Sequence, residues 1–138
     1  MSRTRATPAR KHLTDEDFAQ LLDFRDSLRR FLHWSEEQAV SAGITPAQHQ
    51  LLLAVRGHGA APSVSDLAAH LLLRHHSTVE LVDRAMTAGL VQRVTDDDDH
   101  RVVRVGLTKE GDHRLSALAG AHLEELARIG SRFSALSE

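Results

Sequence analysis

The sequence predicts a mostly helical domain carrying one small β-hairpin. Three observations predict it. Apolar residues recur at helical spacing over most of the chain, a helix-start signal stands before most of these stretches, and the period shortens from about 3.6 to about 2 only between Leu90 and Leu107. A length of 138 residues fits one domain with a single core. Aromatic residues are only 4% of the chain, so Leu, Ala and Val must fill that core.

The elements follow in order. Residues 1–13 hold Arg3, Arg5, Arg10 and Lys11 and no acid, and read as a basic, flexible tail before a single folded domain over 14–138. Thr14 followed three residues later by Asp17 has the form of a capping box, with Asp in the usual Glu place. Asp15, Glu16 and Asp17 put negative charge in the first turn, where the helix dipole favours it, and Leu13 and Phe18 occupy hydrophobic-staple positions. Phe18, Leu21, Leu22, Leu28, Phe31, Leu32, Ala39 and Val40 then trace one helix over about 14–41, ended by Gly43. Such a helix is roughly 40 Å long, more than this domain needs for its own core, which suggests a partner surface.

Thr45-Pro46-Ala47-Gln48 supplies an N-cap, Pro at the first helical position and Gln at the third. That helix runs through Leu51, Leu52 and Val55 to Gly57, and residues 57–62 form a loop. Ser63-Val64-Ser65-Asp66 starts another helix carrying Leu67, Ala68 and Leu71. A further helix spans about His75 to Ala88, closed by Gly89. Leu90–Thr95 and Val102–Leu107 alternate as strands, joined by the polar turn 96–101. Thr108 caps a last helix over about 109–130. Gly130 is expected to break it, leaving Arg132–Glu138 for at most a brief second helix.

Two short helices with a tight connection and then a hairpin have the layout of a winged helix-turn-helix. Here it occupies about 45–108, flanked by long helices at about 14–41 and 109–138. In that layout the first short helix braces the second. The second lies in the DNA major groove, and the hairpin reaches over the backbone or into the minor groove.

Residues 45–115 resemble the MarR family of transcriptional regulators. The resemblance is carried by SVSDLAAHLLL (63–73), HHSTVELVDRAMTAGLVQR (75–93) and DHRVVRVGLTKEG (99–111), whose order and spacing agree with the family throughout. It implies a homodimer held by the terminal helices, cytoplasmic, binding a pseudo-palindromic operator in double-stranded DNA, with affinity changed by a small-molecule effector. Against the family pattern, only 27 residues follow Gly111, which is short for two closing helices.

Leu81, Val82 and Ala85 are expected on the inner face of the second short helix, as core. Arg74, His75, His76, Ser77 and Val79 fall on its leading turn and outer face. Arg suits guanine, His and Ser suit base or phosphate, and Val79 suits a thymine methyl. An exposed polar turn is the plainer alternative. Ser65 begins the bracing helix and could contact phosphate. The resemblance implies that Arg101, the Arg of the D-x-R motif at the wing tip, reaches the minor groove, and that Asp99 orients the wing by hydrogen bonding. Arg104, further up the strand, is a phosphate candidate. The family's effector pocket lies between the long helices and the winged domain, where Phe31, His33, Trp34, His49 and Leu52 could line it or serve as ordinary core.

Charge does not advertise this function. The chain carries 17 Lys+Arg against 19 Asp+Glu, and residues 61–114 hold seven and nine. Cations on phosphates supply most DNA affinity, so the four acids at 96–99 keep a protein-interaction module without DNA binding open as an alternative. Leu72 stands where such a turn often has Gly, which is tolerable if the backbone there stays right-handed. Cysteine is absent, which excludes disulfides, thiolate catalysis and thiol redox sensing by this chain. No Gly-rich phosphate loop, nucleophile elbow or H-E-x-x-H supports an enzyme. No apolar run is long enough to span a membrane, and no secretory signal is evident. Ten His raise a metal-responsive regulator, but they are scattered and provide no assigned metal ligand or cofactor.

Overall fold

The computed structural model describes residues 12–136, with side chains described through residue 131. Five helices and one hairpin follow in the order α1 (Asp15–Ser41), α2 (Pro46–Gly57), α3 (Val64–Leu71), α4 (His75–Thr87), β1 (Val91–Thr95), β2 (Val103–Leu107) and α5 (Lys109–Leu136). Most of the expected basic tail, with all four of its cations, lies outside the described residues.

Local chemistry accounts for the helix starts. Thr14, Thr45 and Ser63 each accept from the backbone N–H three residues on, and Asp17, Gln48 and Asp66 reach back to complete three capping boxes. Gly43 and Gly89 take φ of +82° and +75° just past α1 and α4, a left-handed backbone that a Cβ disfavours. The staple residues Leu13 and Phe18 are 57% and 55% exposed, so no described residue covers that end of α1.

One expectation is corrected, and one condition is not met. Gly130 does not break the last helix, because α5 runs unbroken for 28 residues to Leu136. A lone glycine costs about 1 kcal/mol in a helix interior but introduces no clash. Leu72 is not right-handed. It is the C-cap of α3 at φ 54°, ψ 41°, and no other non-glycine residue among those described has positive φ. The tight link to α4 imposes this geometry, with the Leu73 N–H bonded to the Ala68 carbonyl at 3.1 Å. The Leu72 side chain is 91% exposed, so nothing packs there to offset the strain.

The core lies under the winged part. Leu51, Leu52, Leu67, Ala85 and Val105 are fully buried, joined by Val55, Val82, Leu90, Val91, Leu115 and Leu118. Strands β1 and β2 pair antiparallel, with Val91 opposite Leu107 and Thr95 opposite Val103. The segment before α3 adds a one-residue bridge, Ser63 to Arg104, and the Val105 N–H reaches the Pro62 carbonyl at 2.9 Å. The sheet is thereby tied to the helix it must stand beside.

The start of α5 is locked to the hairpin root. The Thr108 N–H reaches the Leu90 carbonyl at 3.1 Å, its hydroxyl donates to the Gly89 carbonyl at 2.6 Å, and that hydroxyl accepts from the Gly111 N–H at 3.0 Å. A Cβ on Gly111 would lie 1.9 Å from the Leu90 carbonyl oxygen, so only glycine permits this approach.

Candidate nucleic-acid interface

Helix α4 is presented outward. Thr78 is fully buried, and both its N–H and its hydroxyl donate to the Arg74 carbonyl, at 3.0 and 2.9 Å. This pins the first turn from beneath. Arg74 is the N-cap and no side chain caps the helix, so its first N–H groups suit an anion. Arg74, His75 and His76 are exposed, while Ser77 and Val79 are half-buried beside them. Val82 and Ala85 are buried and Leu81 packs partly against the core, as the periodicity required.

The structure gathers four of the nominated residues around one recess. Ser65 from α3, His75 and Val79 from α4, and Arg101 from the hairpin turn line a hollow of about 360 Å³. Arg93 of β1 joins them, a residue that the sequence reading did not nominate. The signal was available, since Arg93 precedes the wing in a strand whose side chains alternate.

The acidic run resolves into two kinds of residue. Asp96 is 12% exposed; one oxygen accepts the N–H groups of Asp98 and Asp99 at 2.8 and 3.3 Å, and the other accepts Arg104 Nε at 2.8 Å. The Arg104 bond and then the two N–H groups hold its carboxyl below the usual range. Asp99 accepts the Arg101 N–H at 3.0 Å and its guanidinium at 3.1 and 3.3 Å, which likewise lower its pKa. Asp97 and Asp98 are exposed. Arg101 is 91% exposed despite its bond to Asp99, so it stands at the tip on a carboxylate rest. Arg104 is turned back toward the domain, with Nη1 donating to the Ala61 carbonyl at 3.0 Å. Its first task is to fasten the tip end of the hairpin to the segment before α3.

A second feature is an apolar groove of about 820 Å³ between α1, α2 and α5. Of the five residues expected there, Phe31 and His49 line it. Leu52 is wholly core. His33, two positions from Phe31 and so on another helix face, is exposed and pairs with Glu37 at 2.9 Å. Trp34 packs on the far side, 6.0 Å from Phe31 and 4.8 Å from the His122 ring. His122 and Ser35 also line the groove, and their approach at 2.7 Å, across 87 residues, has no local sequence signal. Burial lowers the pKa of His49, and His122, with ring centroids 4.8 Å apart, lowers it further. Among the described residues no group of three or more His, Asp or Glu converges to hold a metal ion.

A capped bracing helix, an outward second helix and an arginine-tipped hairpin define a winged helix-turn-helix protein. A sequence model of the MarR family matches residues 42–102. The HTH-type transcriptional repressor MdtR of Bacillus subtilis is 28% identical over 92 residues, 67% of this chain, and the chain spans 59% of the length of that relative. The structure of a MarR family protein from Bacillus stearothermophilus is similar at a TM-score of 0.73 and 26% identity, covering 86% of this chain and 82% of that one. A mutant MarR from E. coli, complexed with operator DNA, has the same fold at a TM-score of 0.68 and 20% identity, covering 92% of this chain and 94% of that one. No described helix is long and apolar enough to cross a membrane.

Proposed function

We propose that this chain is a cytoplasmic, sequence-specific DNA-binding transcriptional regulator that acts as a homodimer on a pseudo-palindromic operator. The observation that carries the reading is the recess where Ser65, His75, Val79 and Arg101 meet, because it places helix and wing on one face. Helix α4 enters the major groove with Arg74, His75, His76, Ser77 and Val79 leading. Arg101 leaves its rest on Asp99 and enters the minor groove, where narrow A/T-rich stretches concentrate negative potential. Ser65 and the uncapped start of α4 take phosphates. Arg104, committed to Asp96 and Ala61, supports the wing and offers phosphate only its remaining N–H groups.

The acidic wing favoured a protein-interaction module on sequence alone. That support is weaker once Asp96 and Asp99 are each matched by an arginine. Homodimerisation is supported by the exposed apolar residues of α1 and α5, including Phe18, Leu21, Leu22, Leu123 and Leu126. Effector binding is supported by the groove lined by Phe31, His49 and His122, which joins the long helices to the winged part.

Titration of the full chain against promoter DNA at two salt concentrations tests the reading. A sequence-selective complex that weakens with salt is expected; no such complex refutes it. Arg101→Ala should weaken operator binding by about 1–3 kcal/mol without changing the fold. Wild-type affinity in that variant refutes the wing assignment.

A further inference from the structure

His58 and His70 lie apart from both the proposed DNA face and the α1–α2–α5 groove. His58 is the C-cap of α2, and His70 stands in the last turn of α3. Twelve residues apart in sequence, they meet with His58 Nδ1 3.0 Å from His70 Nε2, their rings nearly perpendicular at 83°. The other ring nitrogen of His58, Nε2, faces Asp66 Oδ2 at 3.5 Å. Asp66 and His70 share one face of α3, four residues apart, and His58 crosses to them from α2. Asp66 is itself held in place by the cap at Ser63, whose N–H it accepts at 2.9 Å.

We propose that His58 and His70 form a two-imidazole site for a divalent transition-metal ion, Zn2+ in the first instance, backed by the Asp66 carboxylate. Two zinc–nitrogen bonds of about 2.0–2.1 Å at a tetrahedral angle place the nitrogens roughly 3.3–3.4 Å apart. The observed separation needs to open by only a few tenths of an ångström; the rings give up their mutual hydrogen bond, its proton moves to an outer ring nitrogen, and each inner lone pair turns by about 35° toward the ion. A carboxylate on the far nitrogen of a ligating imidazole is the usual outer partner: it fixes the tautomer, turns the inner lone pair toward the ion and raises ligand basicity. Both histidines lie at helix C-termini, where outward carbonyls give a partial negative charge that favours a cation. Water completes the coordination. Imidazole is a good ligand for zinc, copper and nickel and a poor one for magnesium or calcium, so the site selects the former group. A bound ion links the end of α2 to the bracing helix α3, and so fixes the angle between them.

Calorimetric titration of the full chain with zinc chloride, in the absence of DNA, tests the site independently of the DNA-binding reading. One equivalent bound per chain in the micromolar range is expected, with a rise in the melting temperature. His58→Gln and His70→Gln should each remove that equivalent and the rise, leaving the metal-free melting temperature near that of the parent. Asp66→Asn, which keeps the shape of the cap, should weaken binding roughly tenfold or more. No zinc uptake by the parent chain, or zinc binding unchanged in both histidine variants, overturns the proposal. Magnesium chloride, as the hard-cation probe, should give no equivalent heat; an equal response overturns the assignment to imidazole ligands.

Discussion

The winged part and the long first helix obey the same hydrophobic rule with opposite results. From α2 to β2, most apolar residues find neighbours within the chain, and Leu51, Leu52, Leu67 and Val105 are shut away from solvent. In the 27 residues of α1 only Ser27 and Ala39 are buried, while Leu21 and Leu22 are 63% and 60% exposed. Amphipathic periodicity shows that a face is to be covered without showing by what. One region closes its own core, and the other leaves an apolar face uncovered among the described residues.

The largest expected effect lies in the closed region. Leu67→Ala leaves a cavity where α3 meets the core and should cost about 2–5 kcal/mol in urea unfolding. A loss below about 1 kcal/mol would mean that the winged part is not the stable half. The open region should respond differently. Leu21→Glu combined with Leu22→Glu should weaken self-association by about 3 kcal/mol or more, over a hundredfold, while the far-ultraviolet spectrum keeps its helical form. Sedimentation velocity reads this, and an unchanged oligomer would move the interface elsewhere.

At the seam between the regions, His49 sets a pH dependence. Its pKa is lowered in the folded chain, so the unfolded chain binds more protons as the pH falls. Stability should therefore be fully present above about pH 6.5 and decline below it, down to the lowered folded pKa. Urea midpoints across that window measure the slope, and His49→Gln should flatten it. The smallest effect is a gain. Leu72→Gly relieves a left-handed backbone at an exposed position and should stabilise the winged part by about 0.5–1 kcal/mol. A destabilised variant would mean that the Leu72 side chain has a role that its exposure conceals.

The comparison also explains what could be read from the sequence. Thr14, Thr45 and Ser63 announced three helices because a capping box closes within four residues. The order of α3, α4 and hairpin was legible from the cap at Ser63, the stop at Gly89 and the shortened period after it, and with it the family resemblance. Gly130 misled because a lone glycine marks a helix end only when neighbouring residues agree. The left-handed backbone at Leu72 was not legible because a leucine carries no sign of the turn forced upon it. The groove and the histidine contacts were not legible because they are tertiary: Ser35 with His122, and His58 with His70, depend on how α1 packs on α5 and how α2 meets α3. The pairing within the acid run was not legible because counting charges ignores partners, and the arginines that answer Asp96 and Asp99 stand eight and two residues away.

The close seat of Gly111 on the Leu90 carbonyl makes α5 and the hairpin root a single rigid crank. Helix α5 is 28 residues long, an arm of roughly 42 Å at 1.5 Å per residue. With no give at its pivot, a tilt of about five degrees at that end swings the far end through about 3.7 Å, and the reverse holds equally. Two such arms joined in a dimer would set the distance between the two wings, much as the hinge of a pair of callipers sets the gap between its points.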